Sequence, residues 1–185
     1  MTSYVVTEGR LGEEILSAVV QQLLPGKHVV CVDGKGRSHA ISLARSLLSV
    51  RRQPVAFMVD ARTVDRALIQ EQKQSFESLL GLVAPASLWK VALFEPELER
   101  CLFRDLGFAE RLFGGPLSER HRLLCEYDPR RVVRELSRER WHTEDQDSTE
   151  LLRCLAAEDL APLAAEPAIH LMLAFLSEVN QRSAA

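Results

Sequence analysis

The chain predicts an α/β fold: a four-stranded, mostly parallel sheet flanked by helices, followed by a helical extension at its C-terminal end. Three observations carry that expectation. From Ser3 to Phe94, short apolar runs alternate with longer segments of helical periodicity, the pattern of strand–crossover–strand units. The run Val55-Ala56-Phe57-Met58-Val59 is apolar at every position, as a strand must be when helices cover both faces of its sheet. After Leu98 only helical segments remain.

Taken in order, Ser3 to Thr7 is a β-branched and aromatic run that reads as the first strand. Glu8-Gly9 ends it. Leu11 to Leu24 then places Leu11, Ile15, Leu16, Val19, Val20 and Leu23 at helical spacing, and Pro25-Gly26 stops that helix. His28 to Val32 is the second strand, closed by Asp33-Gly34-Lys35-Gly36. Ser38 is the expected N-cap of a helix through Val50. After Arg51-Arg52-Gln53-Pro54 comes the third strand, ending in Asp60. Val64 to Leu80 is a third helix, and Trp89 to Phe94 a fourth strand running into Glu95-Pro96-Glu97-Leu98-Glu99. Helices are then expected over Glu97 to Leu106, Phe108 to Phe113, Ser118 to Glu126, Pro129 to Arg140, from Leu151, over Ala157 to Ala165, and over Pro167 to Val179. Trp141 to Thr149 reads as a polar loop. No fixed-period repeat and no low-complexity segment interrupts the series.

A length of 185 residues supports one good core, organised as an α/β unit over residues 1–103 with a helical extension over 104–185 packed on it. Hydrophobic residues make up 46% and charged residues 26%, both ordinary for a globular chain. A net charge of −3 argues against a surface coated in cations, while leaving room for a local basic patch. No apolar run approaches the roughly 18 residues a membrane-crossing helix needs. The start, Met1-Thr2-Ser3-Tyr4, has no basic segment leading into an apolar one, so the expected location is the cytoplasm, with no membrane partner. Cys31, Cys101, Cys125 and Cys154 never form a Cys-x-x-Cys pair, and read as free thiols.

Right-handed crossovers bring the carboxyl ends of all four strands to one rim, where ligands and ions collect in open α/β sheets. Glu8, Asp33, Asp60 and Glu95 therefore share that edge. Asp60 is the hub: it is placed to bind a cation or do chemistry, or else to cap the following helix. The turn Asp33-Gly34-Lys35-Gly36-Arg37-Ser38 opens a helix and could cradle phosphate through backbone N–H groups and Lys35, or be a plain strand-to-helix turn. The arginines between Asp128 and Arg140 could grip a nucleic-acid backbone, but interleaved Glu135 and Glu139 favour a solvated face with local ion pairs. His39, His121, His142 and His170 show no metal-ligand spacing, and no Ser or Cys has an adjacent base to activate it.

Val5-Val6-Thr7-Glu8-Gly9-Arg10 and, two helices and a strand later, Val55-Ala56-Phe57-Met58-Val59-Asp60-Ala61-Arg62-Thr63 resemble a Toprim (topoisomerase-primase) domain, including that of nucleases of the overcoming-lysogenization-defect class. The resemblance covers roughly residues 3 to 103. Phe94-Glu95-Pro96-Glu97-Leu98-Glu99, Leu160-Ala161-Pro162-Leu163 and Phe175-Leu176 are similar to stretches in small Toprim-like proteins. The resemblance implies a role in nucleic-acid metabolism or defence. It implies a Mg²⁺-dependent nuclease or nicking activity, with Glu8 as general base or ligand and Asp60 as main ligand. The family's Asp-x-Asp is here Asp60-Ala61-Arg62, a degenerate Asp-x-Arg. Either Asp65 or Glu95 supplies the missing carboxylate, or Arg62, with Lys35, contacts phosphate directly. The alternative is a metal-free, catalytically inactive Toprim-like subunit, Arg62 pairing with Glu8 or Asp60, that binds a larger partner protein.

Overall fold

The structure, a computed structural model, describes residues 2–142 and 149–182. Four strands form the sheet: β1 (Ser3–Thr7), β2 (Val29–Asp33), β3 (Val55–Asp60) and β4 (Trp89–Phe94). All are parallel, in the spatial order β2-β1-β3-β4. Helix α1 (Arg10–Leu23) links β1 to its neighbour β2. Helix α2 (Arg37–Ser49) then carries the chain back past β1 to β3, and α3 (Arg66–Gly81) links β3 to β4. The strand order thus reverses between β1 and β3, which opens a crevice at their carboxyl ends.

Alternation along the strands divides the core into two layers. Val5, Ala56, Met58, Ala92 and Phe94 face one side, against the apolar stripe Ile15, Leu16, Val19 and Val20 of α1. Val6, Phe57, Val59, Val91 and Leu93 face the other, under α2 and α3, where Phe57 meets Phe76 edge-on at 5.2 Å. Every residue of β3 is buried, as its unbroken apolar sequence requires.

The C-terminal half follows as a 3₁₀ segment (Leu98–Phe103), α4 (Leu106–Leu112), α5 (Glu119–Leu124), α6 (Pro129–Trp141), α7 (Thr149–Ala157), a second 3₁₀ segment (Ala161–Ala165) and α8 (Pro167–Arg182). Helix α8 packs on β4, β3 and β1 beside α1, burying Ile169, Met172, Phe175, Leu176 and Val179. The sheet face and the helices after Leu98 share one continuous core, so those helices complete the second layer of the fold. The four cysteines are free thiols.

Three local expectations are corrected. The helix expected over Glu97 to Leu106 is instead a 3₁₀ segment, and the one expected over Phe108 to Phe113 begins earlier, as α4, because the Asp105 side chain accepts the Phe108 N–H at 2.8 Å. The segment Ala157 to Ala165 splits between the end of α7 and a 3₁₀ turn. Ser38 is not the cap of α2: Gly36 is, at φ 103°, and its carbonyl takes the Ala40 N–H at 2.9 Å. The turn is this tight because Gly34 lies against the Ala40 side chain and 2.8 Å, measured from the position a Cβ would take, from the Thr7 carbonyl. Any side chain at residue 34 would collide there. Of the polar stretch from Trp141 to Thr149, Trp141 ends α6 and Thr149 begins α7; 143–148 lie outside the described residues.

Candidate functional site

The crevice between β1 and β3 opens into a cavity of about 710 Å³. Glu8, Asp60, Arg62, Glu99, Arg130 and Arg134 are among its walls. Asp60 ends β3 and is only 8% exposed. Its Oδ1 accepts the Leu98 N–H at 2.8 Å, and its Oδ2 accepts from Arg130 Nη2 at 2.9 Å. Arg130 stands in the first turn of α6, a helix opened by Pro129 and capped by Asp128, whose carboxylate accepts the Arg131 N–H. The same guanidinium donates from Nε to Glu99 Oε1 at 2.8 Å and lies 3.4 Å from Glu97 Oε1. One arginine thus answers three carboxylates.

Burial pushes the Asp60 carboxyl up to about 6, and the negative charge of Glu99 pushes the same way. The Leu98 N–H and Arg130 oppose both. Burial likewise raises Glu97, against the pull of Arg130. For Arg130 itself burial acts downward, but the hydrogen bond to Glu99 and the charges of Glu99, Glu97 and Asp60 outweigh it and hold the guanidinium above its usual range. The second oxygen of Glu99, Oε2, is buried without a hydrogen-bond partner.

Glu8 follows β1 and is held by two further arginines. Arg37 Nε donates to its Oε1 at 2.9 Å, and Arg62 Nη2 to its Oε2 at 2.6 Å. Arg37 also donates to the Asp60 carbonyl and, at 3.3 Å, to Gln72 Oε1, with its guanidinium 5.9 Å over the Phe76 ring. Arg62 adopts a left-handed backbone, φ 57°, fixed by its N–H donating to the Pro96 carbonyl at 2.7 Å. Such a conformation costs a non-glycine residue about 1–3 kcal/mol. Here it turns Arg62 back over the crevice onto Glu8.

Of the residues singled out in the sequence, the cavity therefore gathers Glu8, Asp60 and Arg62. The other three lie outside its walls. Asp65 caps α3, its Oδ1 accepting the N–H groups of Ala67 at 2.8 Å and Leu68 at 3.3 Å. Glu95 is exposed. Lys35 is exposed in the β2–α2 turn, where Asp33 Oδ1 accepts its N–H at 2.7 Å. The donor set does not fit a Mg²⁺ ion: Glu8, Asp60 and Glu99 are each already paired to a guanidinium, and no three His, Cys, Asp or Glu side chains among the described residues converge as a metal site.

Sequence reasoning gives no site role to Arg37 or Glu99, and counts Arg130, Arg134 and Arg138 as part of a solvated face. The Asp128-Pro129 start of α6 was legible, but a helix-start signature does not say that the helix will lie across the sheet edge. Corrected accordingly, the Arg-rich helix is only partly a solvated face. Arg131 pairs with Glu135 as expected of i,i+4 neighbours, whereas Arg130, Arg134 and Arg138 line the cavity. Arg134 and Arg138 have no carboxylate partner among the described residues. Opposite them, α1 begins at Gly9 without a side-chain cap, and Arg10, Leu11 and Gly12 of its first turn line the same cavity.

No family model, no curated protein and no solved structure matches this chain. The likeness to Toprim domains rests on the residues alone.

Proposed function

We propose that the crevice binds the phosphate group of a nucleotide or nucleic-acid end without a metal ion, and that the chain is a Toprim-like binding module of nucleic-acid metabolism, not a metal-dependent nuclease. The observation that carries this reading is the pairing of two charge patterns in one cavity. The carboxylates of its inner wall, Glu8, Asp60 and Glu99, are ion-paired to Arg37, Arg62 and Arg130. On its outer wall, Arg134 and Arg138, without a carboxylate partner among the described residues, share the cavity with the uncapped first turn of α1. Unpaired N–H groups of a helix start, with arginines nearby, favour an anion. A guanidinium in the inner cluster opposes a divalent ion by roughly 4 kcal/mol per unit charge at 4 Å and an effective dielectric near 20. The cavity volume lies in the range of small-ligand sites.

The test has two arms. Pyrophosphate, a mononucleotide and a 5′-phosphorylated oligonucleotide are titrated into the protein in EDTA, and plasmid nicking is assayed with Mg²⁺ and Mn²⁺. The reading expects saturable binding in EDTA and no cleavage. Metal-dependent nicking that Glu8→Ala and Asp60→Ala both abolish would replace it with the nuclease reading.

A further inference from the structure

The sheet has an open edge at β2. The ends of the ladder fix its parity: Ser3 donates its N–H to the His28 carbonyl at 2.9 Å, and Gly34 donates to the Thr7 carbonyl at 2.9 Å. Even-numbered residues of β2 therefore bond to β1, and Val29, Cys31 and Asp33 turn their backbone groups outward. Among the described residues no strand pairs with that side. The Val29 N–H is taken locally by the Lys27 carbonyl at 3.0 Å, which leaves the N–H groups of Cys31 and Asp33 and three carbonyls on offer.

The flank of this edge is apolar. Val30 and Val32 pair in register with Tyr4 and Val6, so they stand on the face that α2 and α3 cover elsewhere. Helix α2 packs on β1 and β3. Beside β2 a groove of about 390 Å³ remains, lined by Tyr4, Val32, Leu43, Leu47, Val50 and Arg51. Val30 is 44% and Val50 81% exposed next to it. Unguarded edges of this kind pair with further strands.

We infer that the occupant of this edge is β2 of a second copy, paired antiparallel about Val30. The charges along the strand select both partner and register. Lys27 precedes β2 and Asp33 ends it, and neither has an ion-pair partner among the described residues. Antiparallel pairing centred on Val30 sets Lys27 of each copy opposite Asp33 of the other, at both ends of the junction. A two-residue slip towards the carboxyl end sets Lys27 against Lys35 instead, which is repulsive. The centred register also aligns outward-facing Val29 with outward-facing Cys31, so that each Cys31 N–H meets the Val29 carbonyl of the other copy, and joins the two apolar grooves across a two-fold axis. The product is one continuous eight-stranded sheet. This inference stands independently of the phosphate reading, whose cavity lies at the β1–β3 crevice.

Sedimentation or light scattering of the intact chain over a concentration series tests it. The expected result is a dimer. Val30→Lys and Lys27→Glu are each expected to weaken it at least tenfold, with melting and circular dichroism of the monomer retained. Mixing Lys27→Glu with Asp33→Lys is expected to restore a heterodimer, because each mutant supplies the charge the other lacks. In Val30→Cys, opposed thiols at a non-hydrogen-bonded pair lie within disulfide reach and should cross-link under mild oxidation, whereas Cys31 of the wild type should not. A monomer at all concentrations overturns the proposal. So does a dimer indifferent to Val30→Lys, which would place the contact elsewhere.

Discussion

At Asp60, burial and hydrogen bonding act in opposite directions, and burial prevails. Its carboxyl titrates near 6 in the folded protein against an ordinary value near 3.8. Between about pH 4 and pH 6 the native state therefore holds a proton that the unfolded chain has released, so stability falls as pH rises through this window. The difference corresponds to roughly 3 kcal/mol of destabilisation at neutral pH, relative to a freely solvated carboxylate. Asp60→Asn, which keeps the Leu98 acceptor, is expected to lose this pH dependence. Denaturant unfolding at pH 4, 5, 6 and 7 should show the wild type falling relative to the variant as pH rises; parallel curves would show that Asp60 titrates normally. Arg130→Met removes the cation shared by Asp60, Glu97 and Glu99. Fully buried pairs cost about 3–5 kcal/mol to break, but the Arg130 side chain is 46% exposed, so about 2 kcal/mol is expected. The deficit should shrink at pH 5, where the raised carboxyls take up protons. That Glu8 and Asp60 would meet was legible in the sequence, since each directly follows an apolar strand run and crossover handedness brings strand ends to one rim. Arg130 was not legible, because its position depends on where α6 docks.

Among the elements, β3 and β4 were the easiest to read, β3 as the uninterrupted apolar run Val55 to Val59 after Pro54 and β4 as an apolar run broken only by Lys90 and ended by Glu95. Helix α3 shows how a carboxylate near a site can be structural. Asp65 satisfies two N–H groups at the helix start, so Asp65→Ala is expected to lower stability by about 1 kcal/mol while leaving phosphate binding unchanged. A loss of ligand binding with unchanged melting would instead return Asp65 to the site. The 3₁₀ segments were not legible. Apolar residues at three- and four-residue spacing suit a short 3₁₀ run as well as an α-helix. Helix α6 shows the same limit in its charges. Arg131 and Glu135 pair along one face as their spacing dictates, while Arg130, one residue earlier, points into the crevice.

For the whole molecule, the decisive fact is that the second half of the chain closes both the core and the crevice. Five large apolar side chains of α8 are buried on the sheet. At about 1.5–3 kcal/mol each they contribute of order 10 kcal/mol before the entropy of ordering the helix is set against it. Helix α6, in the same half, supplies the arginines of the outer wall. The sheet edge and the C-terminal helices therefore line one cavity, its inner carboxylates paired to arginines and Arg134 and Arg138 without a carboxylate partner among the described residues. The most direct measurement is calorimetric titration of pyrophosphate into the protein in EDTA, comparing wild type with the double variant Arg134→Glu, Arg138→Glu. A metal-free anion site predicts saturable binding by the wild type in EDTA, weakened at least tenfold in the variant. Binding that appears only with Mg²⁺, or that the variant retains in full, would contradict it.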